Sequence, residues 1–336
     1  MHKAIYQSIG VASLTITPFF TFQVTAGECA TGTAPTAGCT ITADDTTYTM
    51  TGNIAPASGG AGIQFNSGSD NNVLTHTGNI STAGDNAYGL YLSSSDNNTT
   101  TINGNISHTS GERARGLYLL NSHSNTTTLT GNISTSGSFA FGLYLYYSNN
   151  NTTTMTGNIE TTGYGAYGLG IPNSANTTTT INGNISTSGS NATGLYLSSS
   201  ENNTTTINGN ISTSGTYAQG IDIYSSTGNS ITNLGTIATS ASGTYGVYIR
   251  SGSALTTLNN KQSGLTYYGK VPTNYNIIIR GDADYGKTTF STVSSTMTFG
   301  IDLTNSGTNI GDKTYQDVLT GIAASGVLTA TSGTSS

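Results

Sequence analysis

Charge is what this chain has least of. Only 7% of its 336 residues are charged, and the balance is acidic, with a net charge of −6. The nine Lys and Arg residues are scattered. A nucleic-acid grip needs clustered cations to neutralise phosphates, so no nucleic-acid partner is expected. Tryptophan is absent and proline occurs five times. The two cysteines, Cys29 and Cys39, are too few for the usual four-ligand zinc site. The longest apolar run, Ile9 to Phe22, is broken by Thr15, Thr17 and Pro18. It falls short of the ~20 residues of a membrane-spanning helix, which disfavours a lone membrane anchor.

The same run suits a secretory signal. His2 and Lys3 form a short basic start, and Val24-Thr25-Ala26 ends in small residues of the kind that precede cleavage. Export places the chain in an oxidising compartment, where a Cys29–Cys39 disulfide is expected rather than two free thiols.

Low hydrophobicity often signals disorder. Here the apolar residues recur at fixed intervals instead. Isoleucine after Gly-Asn stands at Ile54, Ile80, Ile106, Ile133, Ile159, Ile185 and Ile211, and after Gly-Thr at Ile237. The step is 26 residues, with one of 27. A second marker, Gly-Leu-Tyr-Leu or a relative, keeps pace at Gly62, Gly89, Gly116, Gly142, Gly168, Gly194, Gly220 and Gly246. The extra residue of the long step falls between the two markers, where a turn tolerates it.

Each unit thus reads as two extended segments, "TTTINGNIS" and "GLYL", joined by turns rich in Ser, Gly, Asn and Asp. One unit cannot bury a core alone, but stacked units can. Neighbouring coils then pair as parallel strands ~4.8 Å apart. Leu90, Leu117, Leu143, Leu169, Leu195, Ile221 and Val247 form one internal column, and Ile102, Leu129, Met155, Ile181 and Ile207 another. The glycines at 52, 78, 104, 131, 157, 183, 209 and 235 suit a bend or a crowded wall. Asn98, Asn125, Asn151 and Asn203 suit an amide ladder at a corner. The fold class is all-β: a β-solenoid of about eight coils, roughly 38 Å long. A leucine-rich-repeat horseshoe has a compatible period, but its L-x-x-L-x-L-x-x-N signature is missing.

The chain divides into a signal peptide (1–26), an N-terminal cap with the disulfide (27–50), the β-helix repeats (51–250) and a C-terminal β-structured capping or linker region (251–336). The signal, the "GNI" and "GTI" steps, and the tail "YNIII…YGK…MTFGIDL…YQDVLTGI" between Asn274 and Ile322 together resemble autotransporter passenger proteins. That resemblance implies a right-handed parallel β-helix of pectin-lyase-like shape, secreted to or displayed on a bacterial cell surface. It also implies an outer-membrane β-barrel translocator as partner. The sequence departs from the family there, since no run of eight or more amphipathic strands of about ten residues follows.

Catalysis is not expected. Asp85, Asp96, Glu112, Glu160 and Glu201 fall at differing offsets, and Asp222 takes a tyrosine position between Tyr196 and Tyr248. His76, His108 and His123 share no offset. No cofactor or metal is expected; Asp282 and Asp284 form only a weak D-x-D. Arg280-Gly281-Asp282 spells an integrin-recognition tripeptide, but three letters in a turn carry little information. The Asn-x-Ser/Thr triplets are by-products of the repeat.

Binding has better candidates. Tyr91, Tyr118, Tyr144, Tyr196 and Tyr248 are expected to project from one face, with gaps at Gly170 and Asp222, and to contact sugars or protein. Ordinary β-propensity also explains each tyrosine taken singly. Thr99, Thr101, Thr126, Thr128, Thr152, Thr154, Thr178, Thr180, Thr204 and Thr206 are expected to form a two-file outward array. That pattern resembles the T-x-T grid of ice-binding solenoids. The functional expectation is a structural and adhesive rod for a cell-surface glycan or protein receptor. A carbohydrate-active solenoid enzyme and an ice-binding solenoid are the alternatives.

Overall fold

The structure, a computed structural model, describes residues 27–57, 59–108, 110–291, 296–307, 314–322 and 328–330. The expected signal peptide lies outside them, as do residues 331–336 of the closing segment. The described elements are strands, and the ladders between them are parallel. They wind into a right-handed β-helix of about ten turns.

Three sheets run along the helix. The tyrosine sheet has 13 strands, from Gly27–Glu28 to Leu319–Thr320. The threonine sheet also has 13, from Gly32–Thr33 to Leu328–Ala330. A shorter isoleucine sheet of 7 strands, Ile80–Thr82 to Ile237–Thr239, closes the third side. The first two outrun the regular repeat because both flanks add strands to them. Gly27–Glu28 pairs with Cys39–Ile41 at one end. Leu265–Gly269 and Asn274–Ile277 join the two long sheets at the other.

The register follows the repeat. Leu143 pairs with Leu117 on one side and Leu169 on the other. Leu90 to Val247 thus form a fully buried column, with Ile102 to Ile207 forming a second. Burial of each such side chain contributes about 1.5–3 kcal/mol. The extra residue of the long step is absorbed before Arg115, whose partner Tyr88 lies 27 residues back although Ile106 pairs with Ile80 at 26.

One expectation is corrected. "TTTINGNIS" is not one extended segment but two strands on different sheets, Thr99–Asn103 and Ile106–His108. Both isoleucines face inward, four residues apart, so the two-residue period runs through the bend without showing it. The bend is built on glycine. At the equivalent Gly131, φ is 148° and an added Cβ would lie 2.1 Å from Gly104 O. The glycine of "GLYL" is required for a different reason. A Cβ on Gly142 would meet Ile159 Cγ2 at 2.3 Å and Gly168 O at 2.7 Å.

Side-chain ladders hold the corners. Asn125 Oδ1 accepts from Asn98 N at 2.8 Å, its Nδ2 donates to Ser95 O at 2.9 Å, and its own N–H donates to Asn151 Oδ1 at 2.8 Å. The residue just before the column takes the left-handed conformation at Asn97, Ser124, Asn150, Asn176 and Asn202, with φ between 55° and 58°. Short polar side chains tolerate that region best. A second, exposed ladder explains the Asn of "GNI": Asn132 Oδ1 accepts from Asn158 N, and Asn158 Oδ1 from Asn184 N.

Candidate functional site

The outer face of the tyrosine sheet carries more aromatic surface than the sequence reading assigns to it. Tyr91, Tyr118, Tyr144, Tyr196 and Tyr248 lie on one face, Tyr118 buried and the others half-buried. Tyr91 and Tyr118 stack at 5.1 Å between ring centroids, and Tyr118 meets Tyr144 at 5.6 Å. At Gly170 the column lacks a side chain. Tyr144 leans into that space, where its Cδ2 would lie 2.8 Å from a Cβ.

A parallel aromatic column, missed in the sequence, flanks the first. Tyr88, Phe141 and Tyr245 stand three residues before Tyr91, Tyr144 and Tyr248, and Tyr167 three before Gly170. Tyr88 packs on Tyr91 at 4.8 Å and Phe141 on Tyr144 at 4.5 Å. Phe141 and Tyr167 stack at 5.0 Å, and Tyr167 reaches across the Gly170 gap to Tyr196 at 4.6 Å. At the far end Tyr245 stacks on Tyr268 at 4.6 Å. In the sequence an aromatic stands immediately before four of the eight "GLYL"-type glycines, at Tyr88, Phe141, Tyr167 and Tyr245. It was overlooked because a strand read with a two-residue period does not place residues three apart on one face.

Two arginines sit in this surface. Arg115 takes the flanking position between Tyr88 and Phe141, and its guanidinium lies 4.3 Å from the Tyr118 centroid and 4.9 Å from that of Tyr144. Arg250 lies 5.2 Å over Tyr248 and forks onto buried Asp222, Nε to Oδ1 at 2.9 Å and Nη2 to Oδ2 at 2.7 Å. Asp222 therefore fills its tyrosine slot as a neutralised pair. Burial raises the phenols of Tyr88, Tyr118 and Tyr167, with Arg115 drawing Tyr88 and Tyr118 partly back. It pushes Tyr144 up to about 12. These rings are neutral hydroxyl donors at any physiological pH.

The threonine sheet presents the other regular face. Thr99, Thr126, Thr152, Thr178 and Thr204 are exposed, and Thr101, Thr128, Thr154, Thr180 and Thr206 half-buried beside them. The files are in register through five coils. They continue to Thr75 and Val73 and to Thr49 and Thr47. Between them Thr100, Thr127, Thr153, Thr179 and Thr205 point inward, and their buried hydroxyls have no hydrogen-bond partner.

Three carboxylates do line up, contrary to the sequence reading. Asp44 Oδ1 accepts from Asp70 N at 2.9 Å, and Asp70 Oδ1 from Asp96 N at 2.7 Å. Asp96 lies 26 residues after Asp70 and Asp70 26 after Asp44, so counting back from Asp96 would have found them. The next members of the column are His123 and Asn149, with His123 N donating to Asp96 Oδ1 and Asn149 N to His123 Nδ1. Acid, imidazole and amide thus play one role, the acceptor at a corner. Asp85 Oδ1 accepts from Glu112 N in the same way. Among the described residues no group of three or more His, Cys, Asp or Glu is arranged to hold a metal ion.

The remaining sequence candidates are scattered. His76 is buried between Met50 and Ile102, and His108 Nδ1 lies 3.0 Å from Thr82 Oγ1. Arg280-Gly281-Asp282 occupies the tip of a small hairpin closed by the Ile279–Tyr285 bridge. Asp284 in that hairpin pairs with Lys261 at 3.6 Å. Cys29 and Cys39 form a disulfide at the edge of the core. No family model, curated protein or solved structure matches the chain.

Proposed function

We propose that this chain is an exported, surface-displayed rod of the autotransporter passenger type, which acts by adhesion and binds glycans along the aromatic face of the tyrosine sheet. The observation that carries the reading is the double column from Tyr88 to Tyr268. It combines ring faces with phenol hydroxyls along eight successive strands of one sheet, interrupted at Gln219 and Asp222. Sugar rings stack their C–H faces on aromatics and take hydrogen bonds at their edges, which is what such a strip offers. The signal-like leader and the disulfide support export. The partner for display would be an outer-membrane β-barrel translocator.

The test is a glycan array followed by titration of the hits. Tyr91→Ala combined with Tyr144→Ala is expected to weaken binding at least tenfold, whereas Thr128→Ala with Thr154→Ala leaves it unchanged. Equal binding by both double variants would remove the aromatic face from the account.

A second reading rests on a separate observation, the in-register threonine files. Their spacing, ~4.8 Å along the axis and ~7 Å across it, supports ice binding. Thermal hysteresis that disappears in Thr128→Lys would favour it; an unaltered freezing point at millimolar protein would dismiss it. The Asp44–Asp70–Asp96 column gives little support to a carbohydrate-active enzyme, because the Oδ1 atoms of Asp44, Asp70 and Asp96 are taken by backbone N–H groups of the corner.

A further inference from the structure

Two guanidiniums lie in the aromatic face, and they differ in one respect. Arg250 is neutralised inside the protein by Asp222. Arg115 is in none of the ion pairs of the described residues. Its Nη1 donates to Arg113 O at 3.0 Å and reaches Tyr88 Oη only at 3.5 Å. Its Nε is buried without an acceptor. Four rings surround it: Tyr118 and Tyr144, with Phe141 at 5.5 Å and Tyr88 at 5.6 Å. Ring faces attract a cation but do not replace the hydrogen bonds that water or an anion would give. Its buried Nε and the lack of an ion pair leave a half-buried cation that an anionic ligand would complete.

We infer that Arg115 is the anion-reading point of the aromatic strip, and that the strip takes an acidic oligosaccharide whose ring carboxylate pairs with this guanidinium while its sugar faces stack on the half-buried rings of Tyr91 and Tyr144. The inference rests on the glycan-binding reading above and narrows it to a class. A carboxylate is favoured over a sulfate because the guanidinium fork matches a planar two-oxygen acceptor. Neighbouring rings add selectivity by accepting the apolar face of a pyranose. Arg250 has no such role, since Asp222 already occupies its fork.

The experiment titrates the folded protein, by calorimetry at low salt, with three hexasaccharides. One is an unsulfated hyaluronan fragment bearing free carboxylates, one the same fragment with its carboxylates methyl-esterified, and one neutral chitohexaose. Sulfated dextran provides the sulfate arm. Wild-type protein is expected to bind the free acid at least tenfold more tightly than the ester, and more tightly than the sulfated polymer. Arg115→Gln removes that difference, Arg115→Lys restores only part of it, and Arg250→Gln leaves it in place. The acid–ester comparison uses the unaltered protein, so it stands even if Arg115→Gln fails to fold. Equal affinity of the wild type for acid and ester overturns the inference. If chitohexaose then still binds and Tyr144→Ala weakens it, the aromatic-strip reading survives alone. If no saccharide binds, both fall.

Discussion

Replacing Asn125 with alanine tests the claim that buried corner ladders, rather than local propensity, keep the coils in register. Asn125 is 1% exposed. Its side chain makes two bonds across the stack, accepting from Asn98 N at 2.8 Å and donating to Ser95 O at 2.9 Å. Alanine leaves that buried N–H and that carbonyl without these partners, and no water replaces them. Each orphaned group costs about 1–3 kcal/mol, so the loss is about 2–6 kcal/mol. With a urea slope of about 3 kcal/mol/M the midpoint followed by circular dichroism falls by about 0.7–2 M. Because each coil touches only its neighbours, the loss is local. Amide exchange at Asn98 and the adjoining coils accelerates, while Ile249 keeps its protection. Asn132→Ala supplies the contrast. Asn132 Oδ1 accepts from Asn158 N at 2.8 Å, but the bond is exposed and water takes its place, so the cost is about 0.5–1.5 kcal/mol. The chain carries its own milder variant, since Thr177 occupies the same column with its N–H and hydroxyl both on Asn203 Oδ1. If Asn125→Ala and Asn132→Ala shift the midpoint equally, burial does not set the cost and the reasoning fails.

Three further outcomes follow from the structure. Gly142→Ala drives a methyl against Ile159 Cγ2 and Gly168 O and is expected to cost about 1–3 kcal/mol by overpacking, read from the same urea curves; a neutral result would mean the sheets are not in contact there. Burial lowers the His76 pKa, with partial opposition from the Gly78 backbone, so the imidazole stays neutral in the fold. The unfolded chain takes up the proton first as pH falls below about 6.5, so stability is full above that value and declines below it. His76→Leu should therefore raise the melting temperature and flatten its fall between about pH 6.5 and 5, leaving a residual slope from His108, which is shifted the same way; an unchanged slope would acquit His76. Reducing the Cys29–Cys39 bond opens a loop with a sequence separation of 10 and should cost about 2.7 kcal/mol by chain entropy, seen as a lower unfolding midpoint in reductant; no change in Cys29→Ser/Cys39→Ser would refute it.

Much of the stack was readable because its period is literal. Once Ile54 to Ile237 are found in step, the neighbours of Leu143 are fixed without coordinates. What escaped were features that a two-residue period hides. The bend at Gly104 falls between two inward isoleucines of equal parity, so three sheets looked like two. Tyr88 and Arg115 stand three positions from Tyr91 and Tyr118 and reach the same surface because Gly89 and Leu90, like Gly116 and Leu117, are buried in succession, which breaks the alternation. Asp70 and Asp44 stand one and two 26-residue steps before Asp96 and are legible from it, although Asp44 precedes the first repeat. The strands beyond Arg250 keep to the same sheets while abandoning the spacing, since Leu265–Gly269 and Thr288–Phe290 pair in register across loops of unequal length. The threonine files were legible throughout, as alternation alone places Thr99 and Thr101 outside and Ile102 inside.

The lock between repeat length and coil gives the gene an unusual freedom. Excising or duplicating 26 codons anywhere between Ile133 and Ile237 would rejoin like with like, altering the reach of the molecule by about 4.8 Å while leaving each flank with its own chemistry. Losing a single codon inside a strand would instead turn that strand's inner row outward. Lineages carrying this architecture should therefore vary in whole modules, and length would be the trait most open to selection.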